Sequence, residues 1–319
     1  CCGSGGFFLA AQEFLTNPDN YTLDREQKEF LKNETFYGNE LVKTTFKMAL
    51  MNLYLHNIGD IYGNVPVTQG DSLLTDPGYR VDYVLTNPPF GKKSAITMTN
   101  EEGEEEEEDL VYNRQDFWTT SSNKQLNFVQ HINTIMKATG KAAVVVPDNV
   151  LFADGDGEKL RVDLMNKCNL HTVLRLPTGI FYAQGVKTNV LFFTRGKTDE
   201  DNTKEVWFYD LRTNMQSFGK TNQLKKEHFA DFIKAYKSED RSSIKDERWN
   251  CFTREQIAQK GNSLDLGLIR DESILDYEDL PDPIESAEDA ITQLEMAVDL
   301  IKDVVKELKI TEENIGYNR

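Results

Sequence analysis

The chain lacks several features that define common classes of protein. It has no run of about 18 apolar residues, so we expect no membrane-spanning helix, and its first residues show no secretory signal pattern. Cysteine is scarce and forms no Cys-x-x-Cys motif, which argues against a disulfide scaffold and favours a reducing cytoplasm. The four histidines are scattered without the spacing of metal ligands, so we predict no metal site.

Positive charge is also in short supply. The 319 residues contain 36 Lys and Arg against 53 Asp and Glu, which gives a formal net charge of −17. Residues 101–109 hold eight of these acids, and removing that block still leaves −9. Lys and Arg side chains supply most of the affinity of proteins for nucleic-acid phosphates. A protein of this charge that acts on DNA or RNA therefore needs a partner that contributes much of the binding.

The most informative segment that is present ends in Asn-Pro-Pro-Phe. Residues 81–86 are mostly apolar and predict a buried strand, which two prolines end because proline can neither donate to a sheet ladder nor enter a helix interior. Asn87 and Phe90 then lie at the carboxyl end of the strand, where α/β sheets bind ligands. The Asn87 amide oxygen and the Pro88 carbonyl can accept both hydrogens of an amino group, while the Phe90 ring stacks on its plane. The segment therefore predicts a holder for a planar amine such as adenine.

The chain opens on a glycine-rich turn, Gly3-Ser4-Gly5-Gly6, which leads into an apolar helix that continues to about Thr16. Glycines let the backbone approach a ligand closely, and the start of a helix offers unpaired N–H groups. No Gly-Lys-Ser/Thr follows, so the turn is not a phosphate-binding P-loop. Two interpretations stay open, a cofactor site and an ordinary tight turn.

Glu40 lies between a short strand predicted over residues 34–38 and a helix predicted over residues 41–56. It either complements the dipole of that helix or accepts hydrogen bonds from ribose hydroxyls at the end of a strand. In dinucleotide-binding folds such an acid lies about 20 residues past the glycines. Here it lies 34 residues past Gly6, because a polar segment predicted as a loop over residues 17–33 intervenes.

A third strand, predicted over residues 65–70, leads to Asp71. This side chain either caps a turn or accepts a hydrogen bond from the amino group of a cofactor adenine. Successive strand ends thus carry a glycine turn, a carboxylate, a second carboxylate and the amine holder. The order of these features is more informative than any one of them.

Four motifs in this order resemble those of the modification (M) subunits of Type I restriction-modification systems. They are Gly-Ser-Gly-Gly-Phe-Phe-Leu, Phe-Tyr-Gly-Asn-Glu, Gly-Asp-Ser-Leu and Thr-Asn-Pro-Pro-Phe-Gly. The similarity continues through residues 123–132, 140–147 and 176–193, so it covers residues 1–195 well and the remainder more loosely. Asn-Pro-Pro-Phe alone would also admit methyltransferases that act on RNA or on protein amides, but the combined set is specific.

The resemblance implies an α/β fold of the class I S-adenosylmethionine-dependent methyltransferases. This fold is Rossmann-like, with a mostly parallel sheet whose first strand is truncated here, and with a helical C-terminal extension. We expect a catalytic domain over residues 1–263 and a tail over residues 264–319 with a partner-docking helix at about 285–309. Residues 92–122 are expected to form a mobile insertion, either disordered or closing over DNA with Arg114 and Lys124 near its end.

The family function implied for this chain is adenine-N6 methylation of DNA, with S-adenosylmethionine as cofactor and the target adenine flipped out of the duplex. The resemblance assigns catalytic roles to Asn87, Pro88, Pro89 and Phe90. It assigns cofactor-binding roles to Cys2, Gly3, Ser4, Gly5, Gly6, Glu40, Asp71, Ser72 and Asn87. The implied partners are double-stranded DNA, a specificity subunit bound through the C-terminal helix, and a restriction subunit in the full complex. The implied location is the prokaryotic cytoplasm.

The C-terminal third contains fewer motifs. A strand is predicted over residues 205–210 and an amphipathic helix over residues 225–237, and Pro281 and Pro283 mark a break before the final helix. The apolar residues of that helix recur at spacings of three and four and form a heptad seam. They are Ile291, Leu294, Val298, Ile301, Val305 and Leu308. The seam packs either on its own domain or on a helix of a partner.

Two other functions stay open at this stage. One is a stand-alone adenine methyltransferase of a related defence system, which would need a recognition domain of its own. The other is a non-catalytic fragment whose tail assembles a complex. Binding of the methyl donor separates the second alternative from the enzymatic functions.

Overall fold

The computed structural model of the protein describes residues 1–60, 62–90, 112, 114–181, 186–216, 218–219 and 222–271. It also describes the backbone of residues 95–99 and 105–109 and four helical positions in the tail, Ile291, Leu294, Val298 and Lys302. The chain divides into two units, Cys1–Arg270 and Asp271–Arg319.

The helices of the described residues are α1 (Gly6–Thr16), α2 (Arg25–Asn33), α3 (Lys43–Leu55), α4 (Lys124–Ile135), α5 (Asn149–Phe152), α6 (Asp156–Lys167), α7 (Ala230–Lys237) and α8 (Arg254–Gln259). The strands are β1 (Gly38–Glu40), β2 (Val67–Gln69), β3 (Val81–Thr86), β4 (Ala95–Thr99), β5 (Glu105–Asp109), β6 (Met136–Pro147), β7 (Cys168–Arg175), β8 (Thr188–Arg195), β9 (Glu205–Asp210) and β10 (Trp249–Thr253). None of the described helices is long and apolar enough to cross a membrane.

Six strands form the main sheet in the order β10-β9-β7-β8-β6-β3. Strands β3, β6, β7 and β9 run in one direction, whereas β8 and β10 run in the other. The sheet is therefore mixed, with most of its strands parallel in direction as the sequence predicts. The carboxyl ends of β3 and β6 lie at the same edge, which places Asn87 at that edge.

A second, two-stranded sheet consists of β1 and β2, which pair in parallel. No strand of the described residues joins it to β3, so an interruption separates the two sheets. The prediction that residues 81–86 form a buried strand is wrong as to burial, because only Val84 of β3 is buried, while Tyr83 is 68% exposed and Leu85 is 47% exposed. In α/β sheets, helices normally cover such side chains on both faces of an interior strand.

Both faces of the main sheet are packed because alternate residues of a strand point to opposite sides. On β8, Leu191 and Phe193 belong to one core, whereas Val190 and Phe192 belong to the other. Helices α4 and α6 supply side chains to the first core, and α7 supplies side chains to the second. Almost all residues of α4 are buried, so this helix is a rigid support for the side chains that contact it.

The segment predicted as a loop over residues 17–33 contains a helix, and that prediction is wrong. Helix α2 begins after Asp24, whose carboxylate accepts a hydrogen bond from the Gln27 amide, while the Gln27 side chain accepts one from the Asp24 amide. This capping box satisfies two backbone donors that would otherwise lack partners. The capping box is a helix start signal in the sequence, and the loop prediction did not take it into account.

Two predicted strands are displaced or shortened. The strand predicted over residues 34–38 is β1, Gly38–Glu40, so Glu40 is the last residue of a strand and shortly precedes α3. The strand predicted over residues 65–70 is limited to β2, Val67–Gln69, which follows Pro66, a residue that has no N–H to donate to a ladder. The helix expected from residue 41 begins at Lys43.

The insertion predicted over residues 92–122 contains regular backbone pairing. Strands β4 and β5 form an antiparallel hairpin, where the sequence analysis expected no regular structure. The sequence Ala-Ile-Thr-Met-Thr of β4 is rich in β-branched residues, which favour strands.

The first compact unit extends to Arg270, seven residues beyond the boundary expected at 263. Leu264 and Leu266 are buried in the core of the main sheet. Asp265 forms an ion pair of 2.8 Å with Arg175, which is only 1% exposed. In the second unit, Ile291, Leu294 and Val298 are helical and exposed, while the rest of the predicted seam and the proline break lie outside the described residues.

Candidate functional site

The Asn87 amide stands at the end of β3 and has an unusual environment. Its oxygen Oδ1 is buried and accepts no hydrogen bond from the described residues. A buried acceptor without a partner costs about 1–3 kcal/mol, so native structures rarely keep one without a reason. Pro88 is buried beside it, and Pro89 is exposed. The position is therefore suited to a donor group supplied by a ligand.

Phe90 lies half-buried at the far end of the same motif. Its ring meets that of Phe181 in an edge-to-face contact, with centroids 5.2 Å apart and planes at 83°. Phe181 ends the Leu-Pro-Thr-Gly-Ile-Phe block, which the sequence analysis used only for family resemblance. The contact was not predicted, because the two residues are 91 positions apart and share no local pattern.

The glycine turn adopts backbone angles that favour glycine. Gly3 has φ 58° and Gly5 has φ 86°, both in the left-handed region. A Cβ at Gly5 would lie 3.2 Å from the Leu53 side chain, so this glycine permits close packing on α3. A Cβ at Gly3 would meet nothing within 4 Å, so Gly3 faces open space. No side chain caps α1, which begins at Gly6, and Ser4 is tied to α3 through its carbonyl, which accepts from Asn52 at 2.9 Å.

Glu40 connects the glycine turn to the start of α3. It is 8% exposed, and its Oε2 accepts a hydrogen bond of 2.9 Å from the Gly3 amide. Its Oε1 accepts one of 3.1 Å from the Val42 amide, next to the first residue of α3. The carboxylate thus lies both at a strand end beside the glycines and at a helix start, so the two interpretations of its role describe one position.

Cys1 and Cys2 lie across the interruption between the two sheets. The Cys2 amide donates to the Asn39 carbonyl of β1 at 2.9 Å. The Cys1 nitrogen lies 3.4 Å from Ser72 Oγ, after β2, and its sulfur lies 3.8 Å from Thr86 Oγ1, at the end of β3. Burial raises the pKa of the Cys2 thiol, which favours its neutral form. The predicted cofactor residues around Cys2 and Ser72 therefore converge on one edge of the fold.

Asp71 caps the turn that follows β2. Its Oδ1 accepts from the Leu73 amide at 2.8 Å, and its Oδ2 accepts from the Tyr112 hydroxyl at 2.9 Å. The contact of Tyr112 was not predicted, because no local signal connects a tyrosine near the acidic run with a carboxylate 41 positions earlier.

Arg114, predicted to lie near the end of a mobile insertion, is buried and held by side-chain partners. It is 9% exposed, and Asp116 accepts from its Nε at 3.0 Å and from its Nη2 at 2.6 Å. Its Nη1 lies 3.0 Å from His131 Nδ1 on α4. An arginine bonded in this way has no free face for phosphate.

Three of the predicted site residues, Cys2, Gly5 and Ser72, line a cleft of about 90 Å³ together with Cys1, Thr86 and neighbouring side chains. A larger hollow of about 600 Å³ lies at α1 and α2, but its lining contains none of the predicted site residues. The smaller cleft, by contrast, includes these three predicted cofactor residues and Thr86, the last residue of β3, in its lining. Among the described residues, no group of three His, Cys, Asp or Glu side chains is placed to hold a metal ion.

Comparisons with known proteins agree with the motifs. The family model described as N-6 DNA Methylase matches residues 1–273. The methylase subunit of the Type I restriction enzyme EcoKI from Escherichia coli (strain K12) is 37% identical over 351 residues, covering 98% of this chain and 64% of the relative. The StySPI methylase subunit of Salmonella potsdam is 37% identical over 346 residues, covering 96% of this chain and 63% of the relative.

Solved structures show the same relationship. The crystal structure of the EcoKI M protein matches with a TM-score of 0.71 and 37% identity, covering 97% of this chain and 68% of the other. A chain from a study of complex assembly in a type I restriction-modification system matches with a TM-score of 0.67 and 26% identity, covering 97% and 61%. The chain spans slightly less than two thirds of the length of the two curated relatives. Its family match covers most of its residues, and the chain therefore belongs to the N-6 DNA methylase family, as its sequence motifs predict.

Proposed function

We propose that this chain is the methylation subunit of a Type I restriction-modification complex and methylates N6 of adenine in double-stranded DNA. The observation that carries the proposal is the buried Oδ1 of Asn87, which has no hydrogen-bond partner among the described residues. An exocyclic amino group supplies the donor that this oxygen lacks, and the Pro88 carbonyl accepts its second hydrogen. The relatives named as Type I methylase subunits support the same reaction.

The role of Asn87 follows from the chemistry of an aromatic amine. The lone pair of the adenine amino group is delocalised into the ring, so the nitrogen is a weak nucleophile. Hydrogen bonds from its two hydrogens to two acceptors favour a pyramidal nitrogen, and these hydrogen bonds strengthen as positive charge develops on the nitrogen. No strong base is needed, because positioning the two reactants supplies most of the acceleration.

S-adenosylmethionine, when bound, supplies a methyl group on a sulfonium centre whose leaving group is neutral. The predicted cofactor residues offer chemical groups that suit this cofactor. Gly3 faces open space, Glu40 offers a carboxylate for ribose hydroxyls, and Asp71 offers one for the adenine amino group. Gly5, Gly6, Cys2, Ser4 and Ser72 complete the proposed contacts. The cleft is smaller than the ~300–1,000 Å³ of usual ligand sites, so we expect binding to reposition its lining.

Phe90 is proposed to stack on the target adenine. A base inside a duplex cannot reach Asn87, so it must leave the stack, and an aromatic ring stabilises it outside. Such stacking contributes about 1–3 kcal/mol per base. The contact with Phe181 fixes the plane of the Phe90 ring before the base arrives.

A specificity subunit is the proposed partner for the tail. Ile291, Leu294 and Val298 are exposed at helical spacings of three and four, as expected of a seam that packs on another helix. A partner that recognises DNA also compensates for the net charge of −17. The restriction subunit joins the full complex, and the proposed reaction places the protein in the prokaryotic cytoplasm. Deletion of residues 284–319 should abolish binding of the specificity subunit without lowering the unfolding temperature of the first unit, and unchanged assembly would contradict this role.

The interrupted sheet and the small cleft favour one alternative, a chain that assembles a complex without binding cofactor by itself. The test uses the full-length protein, co-expressed with its specificity subunit, and labelled S-adenosylmethionine. We expect labelled N6-methyladenine in DNA that carries the recognition sequence and none in DNA that lacks it. Assembly with the partner but no binding of the methyl donor would favour the alternative.

A further inference from the structure

The turn over Asp71, Ser72 and Leu73 is fixed by side chains from a distant part of the chain. Leu73 is 1% exposed and packs in one cluster with Tyr112 and Phe128, each 7% exposed. The Tyr112 hydroxyl donates to Asp71 Oδ2 at 2.9 Å. A carboxylate has about four acceptor positions, so Asp71 still has capacity for a ligand N–H after accepting from Tyr112 and Leu73.

Arg114 contacts the same turn from the other side. Its Nη1 lies 3.4 Å from the carbonyl oxygens of both Ser72 and Leu73. Its charge is balanced by Asp116, and its guanidinium lies 4.3 Å above the centre of the Phe117 ring. Because the planar guanidinium has five donors in a fixed arrangement, Arg114 can bond to the Asp116 carboxylate and to the carbonyls of Ser72 and Leu73 at the same time.

His131 anchors this arrangement to α4. Its Nδ1 must accept from Arg114 Nη1, so the ring is neutral and carries its hydrogen on Nε2. Burial, assisted by the Arg114 charge, lowers the pKa of His131 to about 4, so the neutral ring persists at neutral pH. Partial burial alone would raise the pKa of Asp116, but hydrogen bonds from Arg114 and Thr134 outweigh it and hold the pKa below its usual value.

We propose that Tyr112 and Arg114 are positioning residues that orient the Asp71 carboxylate and the Ser72–Leu73 backbone for the adenine amino group of the methyl donor. The inference rests on the proposed function and adds to it two residues that no motif of the sequence indicates. Tyr112 sets the direction of the carboxylate, and Arg114 sets the path of the backbone that carries it.

The test compares Tyr112→Phe and Arg114→Lys in the full-length complex with two matched controls. The controls are Tyr62→Phe, whose ring is 99% exposed, and Arg25→Lys, on the exposed surface of α2. Losing a hydrogen bond to a charged group weakens binding by about tenfold. We expect KM for S-adenosylmethionine to rise about tenfold in both test variants, with kcat at saturating cofactor near that of the unsubstituted complex. The controls should leave both parameters unchanged.

A second measurement separates positioning from general destabilisation. S-adenosylhomocysteine has the adenine amino group, whereas its deaminated analogue, S-inosylhomocysteine, does not. The unsubstituted complex should prefer the first ligand, and Tyr112→Phe should reduce that preference about tenfold. In an Asp71→Asn background, Tyr112→Phe should change the preference no further, because the two side chains act as one unit.

The possible results lead to different conclusions. Equal weakening of both ligands in Tyr112→Phe would show a merely structural role and overturn the inference. Unchanged KM and unchanged preference would also overturn it, while methyl transfer by the unsubstituted complex would leave the proposed function standing. If that complex bound neither ligand, both proposals would fail.

Discussion

The Glu40→Gln substitution separates the two roles that the structure combines in one carboxylate. Glu40 is 8% exposed and accepts hydrogen bonds from the amides of Gly3 at 2.9 Å and Val42 at 3.1 Å. Glutamine keeps one acceptor oxygen and replaces the other with an NH₂ group. One of the two backbone donors therefore loses its acceptor and faces another donor.

The expected loss of stability follows from that lost bond. A hydrogen bond to a charged group contributes about 1.5–3 kcal/mol, and a unit of this size loses about 2–4 °C of unfolding temperature per kcal/mol. Glu40→Gln should therefore unfold about 3–12 °C lower without any ligand. If Glu40 also holds the ribose hydroxyls, S-adenosylmethionine should bind about tenfold more weakly. At a fixed ligand concentration well above Kd, that change removes about 1.4 kcal/mol of the stabilisation by ligand.

Differential scanning calorimetry with and without S-adenosylmethionine measures both effects. The matched control is Glu13→Gln on α1, whose exposed side chain makes no hydrogen bond in the described part of the chain. We expect Glu40→Gln to lower the unfolding temperature and also to reduce its increase on adding ligand, by about 3–6 °C. A lower unfolding temperature with the full ligand-induced increase would refute a cofactor role for Glu40.

Three further predictions concern other parts of the molecule. Asp265→Ala leaves the buried Arg175 without its carboxylate and should cost about 1–3 kcal/mol in denaturant unfolding. Asp82→Ala, in an exposed ion pair with Lys137, should cost about 0–1 kcal/mol, and equal losses would contradict this. Burial, with nearby positive charge, lowers the pKa values of His131 and His171 from 6.5 to about 4. Between these pH values the two histidines bind protons in the unfolded chain but stay neutral in the folded one. The free energy of unfolding should be highest above pH 6.5 and fall towards pH 4, by up to about 1.4 kcal/mol per pH unit for each histidine, and a flat profile in denaturant unfolding would contradict the pKa shifts. Phe90→Ala should weaken capture of a flipped 2-aminopurine about 5- to 150-fold by fluorescence, and unchanged binding would exclude stacking on this ring.

The strongest local signals led to the correct structure. The two prolines after Thr86 end β3 where the sequence places the stop, because their effect needs no distant contact. The strand over residues 205–210 is β9 with the same bounds, and the helix resembling the family block at residues 123–132 is α4. Helix α2 was missed although its capping box was present, because the polar composition of residues 17–33 was given more weight than the pattern.

Other features depend on contacts that no local pattern contains. Tyr112 and Asp71 are 41 positions apart, and Arg114 and His131 are 17 positions apart, so only the fold brings each pair together. Asp265 lies 90 positions from Arg175, and this pair fastens the end of the first unit to the main sheet. Strand β1 begins four residues later and ends two residues later than the sequence pattern indicates, and this shift places Glu40 at a strand end. Sequence thus predicts the positions of candidate site residues better than the partners that orient them.

The Asn87→Ala substitution tests the central claim most directly. The measurement is transfer of a labelled methyl group from S-adenosylmethionine to N6 of adenine by the full-length complex, with Asn169→Ala, at an exposed asparagine of β7, as the control. Removing the amide removes the unpartnered oxygen but no hydrogen bond of the described residues, so the unfolding temperature should not fall. Our account predicts that Asn87→Ala loses methyl transfer while it still binds S-adenosylmethionine and assembles with its partner. Methyl transfer at the unsubstituted rate by Asn87→Ala would contradict it.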